Sequence, residues 1–218
     1  MSSESRPRVH LVTGSGSGIG ADLAARLEGR GDRVLRLTRD TVDLEDADAV
    51  RRWAGECAAS NPRLDSLVHA AGTVELGTVA DLDLAAWQRQ LDVNLTAPAV
   101  LTAGLLPSLR AAGGTVVFVN SSAGLVANAS WSAYAASKFG LRGLADALRA
   151  EEAEGGVRVT SVFPSRTATP MQEKVHEQEG RTYDASRWIR PGTVSETIIS
   201  VLDLPPDATV PEISIRPR

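Results

Sequence analysis

The chain has 218 residues, 43% hydrophobic and 23% charged, with a formal net charge of −4 at pH 7 and a single cysteine, Cys57. This composition is typical of one globular domain with a full apolar core, and the absence of a basic run argues against nucleic acid or an anionic membrane as a partner. The apolar stretches are shorter than the roughly 20 residues that span a bilayer, the start lacks a secretory signal, and one cysteine excludes an intrachain disulfide. We therefore expect a single cytoplasmic domain over residues 1–218, with residues 1–7 as a disordered start.

Strand-like and helix-like segments alternate along the chain. Short apolar runs predict strands at 8–13, 33–38, 65–70, 114–120, 157–162 and 212–215. Segments of helical period lie at 19–28, 44–60, 84–112, 132–154 and 194–202, and a proline at 98 or 107 is expected to bend or break the longest of them. This alternation predicts an α/β fold, a doubly wound parallel sheet with helices on both faces.

The turn after the first predicted strand is rich in glycine. Thr13-Gly-Ser-Gly-Ser-Gly-Ile-Gly20 connects that strand to a predicted helix. Glycines let the backbone approach a pyrophosphate, and a helix N-terminus supplies free N–H groups and the positive end of the helix dipole. In this context between a strand and a helix, the motif predicts a dinucleotide site.

A tyrosine and a lysine lie one helical turn apart in Tyr134-Ala-Ala-Ser-Lys138. Their side chains therefore leave the same face of the helix. The pKa of a free tyrosine is about 10, and a neighbouring cation favours the phenolate and lowers this pKa toward neutral pH. The pair predicts an acid/base group, and Ser121 precedes Tyr134 by thirteen residues in a turn of small residues.

Taken in chain order, these motifs resemble those of the short-chain dehydrogenase/reductase family, in its simple single-domain branch. The glycine motif is similar to the family's cofactor loop, and His69-Ala-Ala-Gly72 is similar to its Asn-Asn-Ala-Gly motif. Asn94 and Ser121 stand where the family has its catalytic asparagine and serine, and Pro164-Ser-Arg-Thr-Ala-Thr169 resembles the stretch that closes over the nicotinamide. The resemblance implies a Rossmann-type sheet of six to seven strands.

The resemblance also implies the chemistry. Tyr134 exchanges a proton with the substrate oxygen while a hydride moves to or from the nicotinamide, and Lys138 holds the ribose and lowers the pKa of Tyr134. Ser121 hydrogen-bonds the same oxygen, and Asn94 supports a water that links Lys138 to solvent. Ser122 is chemically equal to Ser121, so the spacing to Tyr134 is the reason for choosing Ser121.

The resemblance places the nicotinamide cofactor on a larger set of residues, with no metal in the site. These are Gly14, Ser15, Ser17, Gly18, Ile19, Gly20, Arg39, Asp43, Leu44, Ala70, Ala71, Gly72, Asn94, Tyr134, Lys138, Pro164, Thr167 and Thr169.

Two rules conflict on which cofactor binds. Arg39 follows Thr38 where NADP-using members carry a basic residue. A guanidinium can make a bidentate, charge-assisted contact to the 2′-phosphate. The general rule of an acid about 20 residues after the loop is met by Asp40 and would select NAD. We expect NADP(H) to be favoured over NAD(H).

Three departures from the family pattern stand out. His69-Ala70 replaces an asparagine pair, and Ser165 replaces a glycine. Only Asp40-Thr-Val separates Arg39 from Asp43, where the family carries a helix and a strand. This deletion is expected to leave one edge of the sheet less covered.

The expected function is an NAD(P)-dependent oxidoreductase acting on a small-molecule carbonyl/alcohol pair. The alternative is a catalytically silent NAD(P)-binding regulatory protein of the same fold, whose expected sign, the loss of Tyr134, Lys138 or Ser121, is absent. A further alternative is an epimerase or dehydratase of the superfamily, which is disfavoured because those proteins resemble longer chains with an added substrate domain. We expect a substrate lid at about 165–191 and a homodimer or homotetramer formed through helices 84–112 and 132–154.

Overall fold

The computed structural model describes residues 6–218, which form a six-stranded parallel sheet in the order β2-β1-β3-β4-β5-β6. The chain turns back across the sheet between β1 and β3, and at such a point a crevice opens outside the carboxyl ends of the strands. The predicted disordered start lies outside the described residues except for Arg6 and Pro7. The strands are Val9–Thr13 (β1), Arg33–Leu37 (β2), Ser66–His69 (β3), Thr115–Val119 (β4), Arg158–Pro164 (β5) and Glu212–Ile215 (β6).

Helices cover both faces of the sheet, as the alternating pattern predicts. Leu11 and Val12 are neighbours in β1 and point to opposite faces, so each belongs to a different apolar core. One core packs against α2, α4 and α5 and the other against α1 and α7. The helices are Gly18–Gly29 (α1), Ala47–Ser60 (α2), Leu84–Leu91 (α3), Ala97–Ala112 (α4), Ser132–Glu151 (α5), Pro170–Gln178 (α6) and Pro191–Leu202 (α7).

The edge of the sheet at β2 is less covered than its centre. Arg33 and Arg36 are exposed in this strand, whereas every residue of β3 and β4 is buried. After β2, the Thr41 and Val42 N–H groups both donate to the Thr38 carbonyl, which forms two turns. The chain then enters α2 without adding a further strand. The short connection therefore has the predicted effect.

The predicted long helix 84–112 is interrupted before Pro98. Residues Asp92–Thr96 form a π-helical turn between α3 and α4, closed by the Ala97 N–H on the Asp92 carbonyl. Proline has no N–H to donate, which favours a break at this point, whereas Pro107 lies inside a continuous α4. By length and composition alone Leu84–Ala112 could cross a membrane, but here it packs against α2 and β3 within the fold.

Capping corrects one predicted boundary. The sequence predicts a helix from residue 44, but α2 begins at Ala47 because the Asp46 side chain accepts hydrogen bonds from the Asp48 and Ala49 N–H groups. Leu44 and Glu45 consequently lie outside the helix and border the crevice at the end of β2.

Candidate active site

A cavity of about 550 Å³ opens at the carboxyl ends of the strands. The glycine motif, the segments that follow β2, β3, β4 and β5, and the first turns of α5 and α6 line it. This is the place where a doubly wound sheet binds its ligand, at the point where the strand order reverses.

The glycine motif is shaped for close approach. Gly14 has φ +65°, and a Cβ atom built on it would lie 2.7 Å from the Cα of Ala71. Ser17, the residue before α1, is extended, and its side chain makes no capping hydrogen bond. The first N–H groups of a twelve-residue helix therefore face the cavity without a side-chain partner, which suits a phosphate group.

Polar side chains fix the glycine motif to the neighbouring strands. The Thr13 hydroxyl accepts hydrogen bonds from the Ala70 and Ala71 N–H groups, each at 3.0 Å. The Arg36 guanidinium donates to the Ser15 carbonyl at 3.1 Å. The loop thus has a defined position before any ligand binds, which reduces the entropy lost on binding.

Tyr134 and Lys138 lie on the buried face of α5 and both line the cavity. The Lys138 Nζ atom is 5.8 Å from the centre of the Tyr134 ring and donates to the Val119 carbonyl at 3.1 Å. Burial lowers the pKa of Lys138 to about 8, because the cation is removed from water.

The pKa of Tyr134 differs from the sequence expectation. Burial raises this pKa above its ordinary value, and the neighbouring Ser121 hydroxyl acts in the opposite direction. The expected lowering by Lys138 is not seen in the protein alone, because loss of solvent around the phenol disfavours the phenolate. A raised pKa keeps Tyr134 protonated at neutral pH.

Ser121 and Ser122 both line the cavity, Ser121 half-buried and Ser122 exposed. Asn120, which the sequence analysis did not select, fixes this turn: its Oδ1 atom accepts from the Ser121 N–H at 2.8 Å, and its Nδ2 atom donates to the Lys138 carbonyl at 3.1 Å. A polar residue at the end of an otherwise apolar strand is the signal that could have identified it.

Asn94 lies behind the cavity rather than on its surface. Its side-chain amide bonds both backbone groups of Thr73, at 2.8 and 2.9 Å, and donates to the Ser137 hydroxyl at 3.0 Å. Ser137 in turn donates to the Tyr134 carbonyl at 2.7 Å. A Cβ atom on Gly72 would lie 3.3 Å from Asn94 Oδ1 and 3.9 Å from Lys138 Nζ, so the amide and the cation adjoin the same glycine.

The end of β2 borders the far end of the cavity. Thr38, Arg39, Asp43 and Leu44 line it there, whereas Asp40 does not. Thr38 stands beside the glycine motif, with its methyl 3.8 Å from a Cβ atom built on Gly16. Arg39 is exposed and forms no ion pair with any residue between 6 and 218.

The segment after β5 closes another side of the cavity. Pro164, Thr167 and Thr169 line it as predicted, and the loop is held by the Ala168 N–H on the Ile189 carbonyl at 2.8 Å. Ser165 replaces the family's glycine without strain, because its backbone is not left-handed.

The cavity therefore brings together most of the predicted site residues. Ser15, Gly20 and Asn94 are the exceptions, lying one layer behind the surface. Trp131 lines the cavity, whereas Trp188 does not and instead lies under the Arg166 guanidinium, 5.5 Å from its carbon.

His69 takes a structural place in the core. Its Nε2 atom bonds the Thr102 hydroxyl at 2.9 Å, and its ring stacks on Phe118 with 5.0 Å between centres. Burial, reinforced by the nearby Lys138 cation, lowers the pKa of His69 to about 3. The His69 side chain, which replaces asparagine, thus bonds Thr102 of α4 as a neutral imidazole.

Comparison with known proteins agrees with this geometry. A sequence model described as short chain dehydrogenase matches residues 36–180. The chain is 34% identical over 217 residues to the cis-4-hydroxycyclohexanecarboxylate dehydrogenase of Sinomonas cyclohexanicum, with 88% of this chain and 87% of that protein covered. This chain belongs to the short-chain dehydrogenase/reductase family.

Other members of the family support the same assignment. A 3-alpha-(or 20-beta)-hydroxysteroid dehydrogenase of Mycobacterium tuberculosis is 31% identical, with 88% of this chain and 81% of that protein covered. The crystal structure of a short chain dehydrogenase from Escherichia coli CFT073 complexed with NADPH has a TM-score of 0.85 at 28% identity, with 95% of each chain covered. The chain is accordingly an NAD(P)-dependent oxidoreductase, and these relatives give no support to the catalytically silent alternative.

Proposed function

We propose that this short-chain dehydrogenase/reductase interconverts a carbonyl and an alcohol in the cytoplasm, with NADP(H) preferred over NAD(H) and Tyr134 as the acid/base. The observation that carries the proposal is that a buried Tyr134–Lys138 pair and the uncapped N-terminus of α1 face one cavity. A phosphate-binding element and a proton-transfer group thus meet in the same site.

A nicotinamide held in this cavity would supply or accept the hydride. Tyr134 gives its proton to the substrate oxygen during reduction, and its raised pKa keeps that proton in place at neutral pH. Ser121 donates a second hydrogen bond to the oxygen as negative charge develops there. Lys138, with a pKa of about 8, is a cation at pH 7 and would bind the ribose hydroxyls. Asn94 supports a water that links Lys138 to solvent.

The preference for NADP(H) rests on the end of β2. Arg39 lines the cavity and is available for a 2′-phosphate, Thr38 beside it carries no repelling charge, and Asp40 does not line the cavity. Two structural neighbours, at 28% and 26% identity, were solved with NADPH and with NADP. The amides of the glycine motif would hold the pyrophosphate of the cofactor, and Arg39 would distinguish the phosphorylated ribose.

Segment 165–191 acts as the substrate lid in this proposal. It contains α6, and the Gln178 side chain at the end of α6 accepts from the Leu76 N–H at 2.7 Å, joining the two sides of the cavity. The enzyme assembles as a homodimer or homotetramer through α4 and α5, where Phe139 is 43% exposed. A solution mass near that of one 23.0 kDa chain by light scattering would contradict the assembly.

Substitution of Tyr134 tests the proposed chemistry. Tyr134→Phe keeps the ring and removes the proton, so we expect turnover to be lost while NADPH affinity, measured by fluorescence titration, changes little. Tyr183→Phe makes the same chemical change outside the cavity lining and is expected to retain activity. A Tyr134→Phe enzyme with more than a few per cent of wild-type turnover would show that another residue is the acid.

A further inference from the structure

The side of the cavity next to the Tyr134 ring is apolar. Five of its lining residues form what we call the apolar wall, and they pack together with Tyr134 in a small core separate from the two large ones. The apolar wall consists of Val74, Ala123, Trp131, Met171 and Val175.

The apolar wall is assembled from four segments: the one after β3, the one after β4, the start of α5, and α6. The Gly77 N–H donates to the Ser130 carbonyl at 2.8 Å, which joins the segment after β3 to the start of α5. Ser130 has φ +65°, a left-handed conformation that costs a non-glycine residue energy. The turn it makes sets the Trp131 ring edge-on to Tyr134, with 5.7 Å between ring centres.

The charged residues that line the cavity are not part of the apolar wall. Arg39, Asp43 and Glu45 line the end next to β2, and Lys138 belongs to the catalytic pair. Arg166, the remaining charged lining residue, is paired with Glu179 at 2.7 Å and stacked on Trp188. Its second terminal nitrogen, Nη1, has no hydrogen-bond partner among residues 6–218, but it is covered and offers no surface to the cavity.

On the basis of the function proposed above, we propose that the substrate is an uncharged secondary alcohol or ketone whose hydrocarbon part packs on the apolar wall. A carboxylate or phosphate seated there would lose its water without gaining a charged partner from the five wall residues, whereas a hydrocarbon group gains from burial. The wall therefore selects for an apolar group beside the reacting carbon and against an anionic one.

Two ketones of similar size test this selection in the wild-type enzyme. 4-Methylcyclohexanone and 4-oxocyclohexanecarboxylate differ at one position, by a methyl group against a carboxylate. With NADPH we expect kcat/KM to be about tenfold or more higher for the methyl compound, since an unpaired buried charge is strongly disfavoured. Equal or better turnover of the carboxylate, or turnover confined to a polar aldehyde such as glyceraldehyde, would overturn the inference and leave the proposed function standing. NADPH binding without turnover of any of the three would instead contradict the proposed function.

A charge placed in the apolar wall should change the ranking. Met171→Lys is nearly isosteric and puts a cation beside the bound ring, so we expect the carboxylate to gain at least about tenfold relative to the methyl compound. Glu56→Gln changes the net charge by the same amount on the exposed face of α2, away from the cavity, and should leave the ratio as it is. Thermal unfolding and NADPH titration establish that both variants fold. An unchanged ratio in a folded Met171→Lys enzyme would show that the substrate does not reach the apolar wall.

Discussion

Gln90 and Asn94 lie one helical turn apart, and each grips one residue of the segment after β3 through both ends of its side-chain amide. Asn94 bonds the N–H and carbonyl of Thr73 at 2.8 and 2.9 Å, and Gln90 bonds the same two groups of Glu75, both at 3.1 Å. Val74 lies between the two gripped residues and lines the cavity. The two side-chain amides bond the backbone on either side of Val74, as a neighbouring strand would, and so position Val74 beside Tyr134.

Gln90→Ala should therefore weaken substrate binding without affecting the cofactor. Loss of two hydrogen bonds frees the segment that carries Val74, and we expect the KM for the carbonyl substrate to rise several-fold while kcat and the KM for NADPH change little. The free energy of unfolding should fall by about 1–2 kcal/mol. Gln88→Ala is the matched control, since Gln88 is exposed on the same helix and its side chain bonds only Asp92 among residues 6–218. A parallel rise in both KM values would assign Gln90 a general structural role.

Ser121 and Ser122 can be separated by alanine substitution. Ser121→Ala should lower kcat about 10²–10³-fold, the typical cost of one donor to a developing oxyanion, while Ser122→Ala should have a far smaller effect. Asn120 holds the Ser121 N–H in position, which favours this order. Steady-state kinetics of the two variants decide the point, and equal effects or the reverse ranking would show that the thirteen-residue spacing to Tyr134 is misleading.

Arg39→Ala tests the cofactor preference. Removing the guanidinium should lower kcat/KM for NADPH by about tenfold or more and leave that for NADH nearly unchanged, because only the 2′-phosphate loses a charged partner. Asp40→Ala is the matched control, since Asp40 adjoins Arg39 but does not line the cavity. A wild-type preference for NADH, or an unchanged ratio in Arg39→Ala, would point to Asp40 instead.

His69 should make the fold sensitive to acid. Its pKa is about 3 in the folded chain and near 6.5 when unfolded, so the unfolded state binds the extra proton and stability is lost as pH falls from about 6.5 to 3. Between pH 6.5 and 4.5 the loss should reach about 2 kcal/mol at this site. Urea unfolding of wild type and His69→Asn measures it: the variant should lose less stability over this range, and His10, whose pKa burial also lowers, contributes equally to both. Parallel curves would contradict the assignment.

The strands, the fold class and the location of the cavity follow from patterns that the sequence carries locally. Alternation of apolar runs with helical periods specifies a doubly wound sheet, and the glycine motif and Tyr134–Lys138 are each short enough to be identified by spacing. Helix ends were less predictable, as α2 shows, because a single capping side chain such as Asp46 decides where the first turn begins.

Tertiary structure decided what no local pattern contains. The pKa of Tyr134 is raised because burial outweighs the cation one turn away, and burial depends on segments far along the chain. Gln90, Asn120 and Ser137 contribute through bonds to partners 15, 18 and 43 residues away, so their spacing in sequence carries no signal. The motifs alone predicted which groups exchange a proton and hold a dinucleotide. Only packing determined how those groups are charged, which residues hold them, and that the wall facing Tyr134 is apolar.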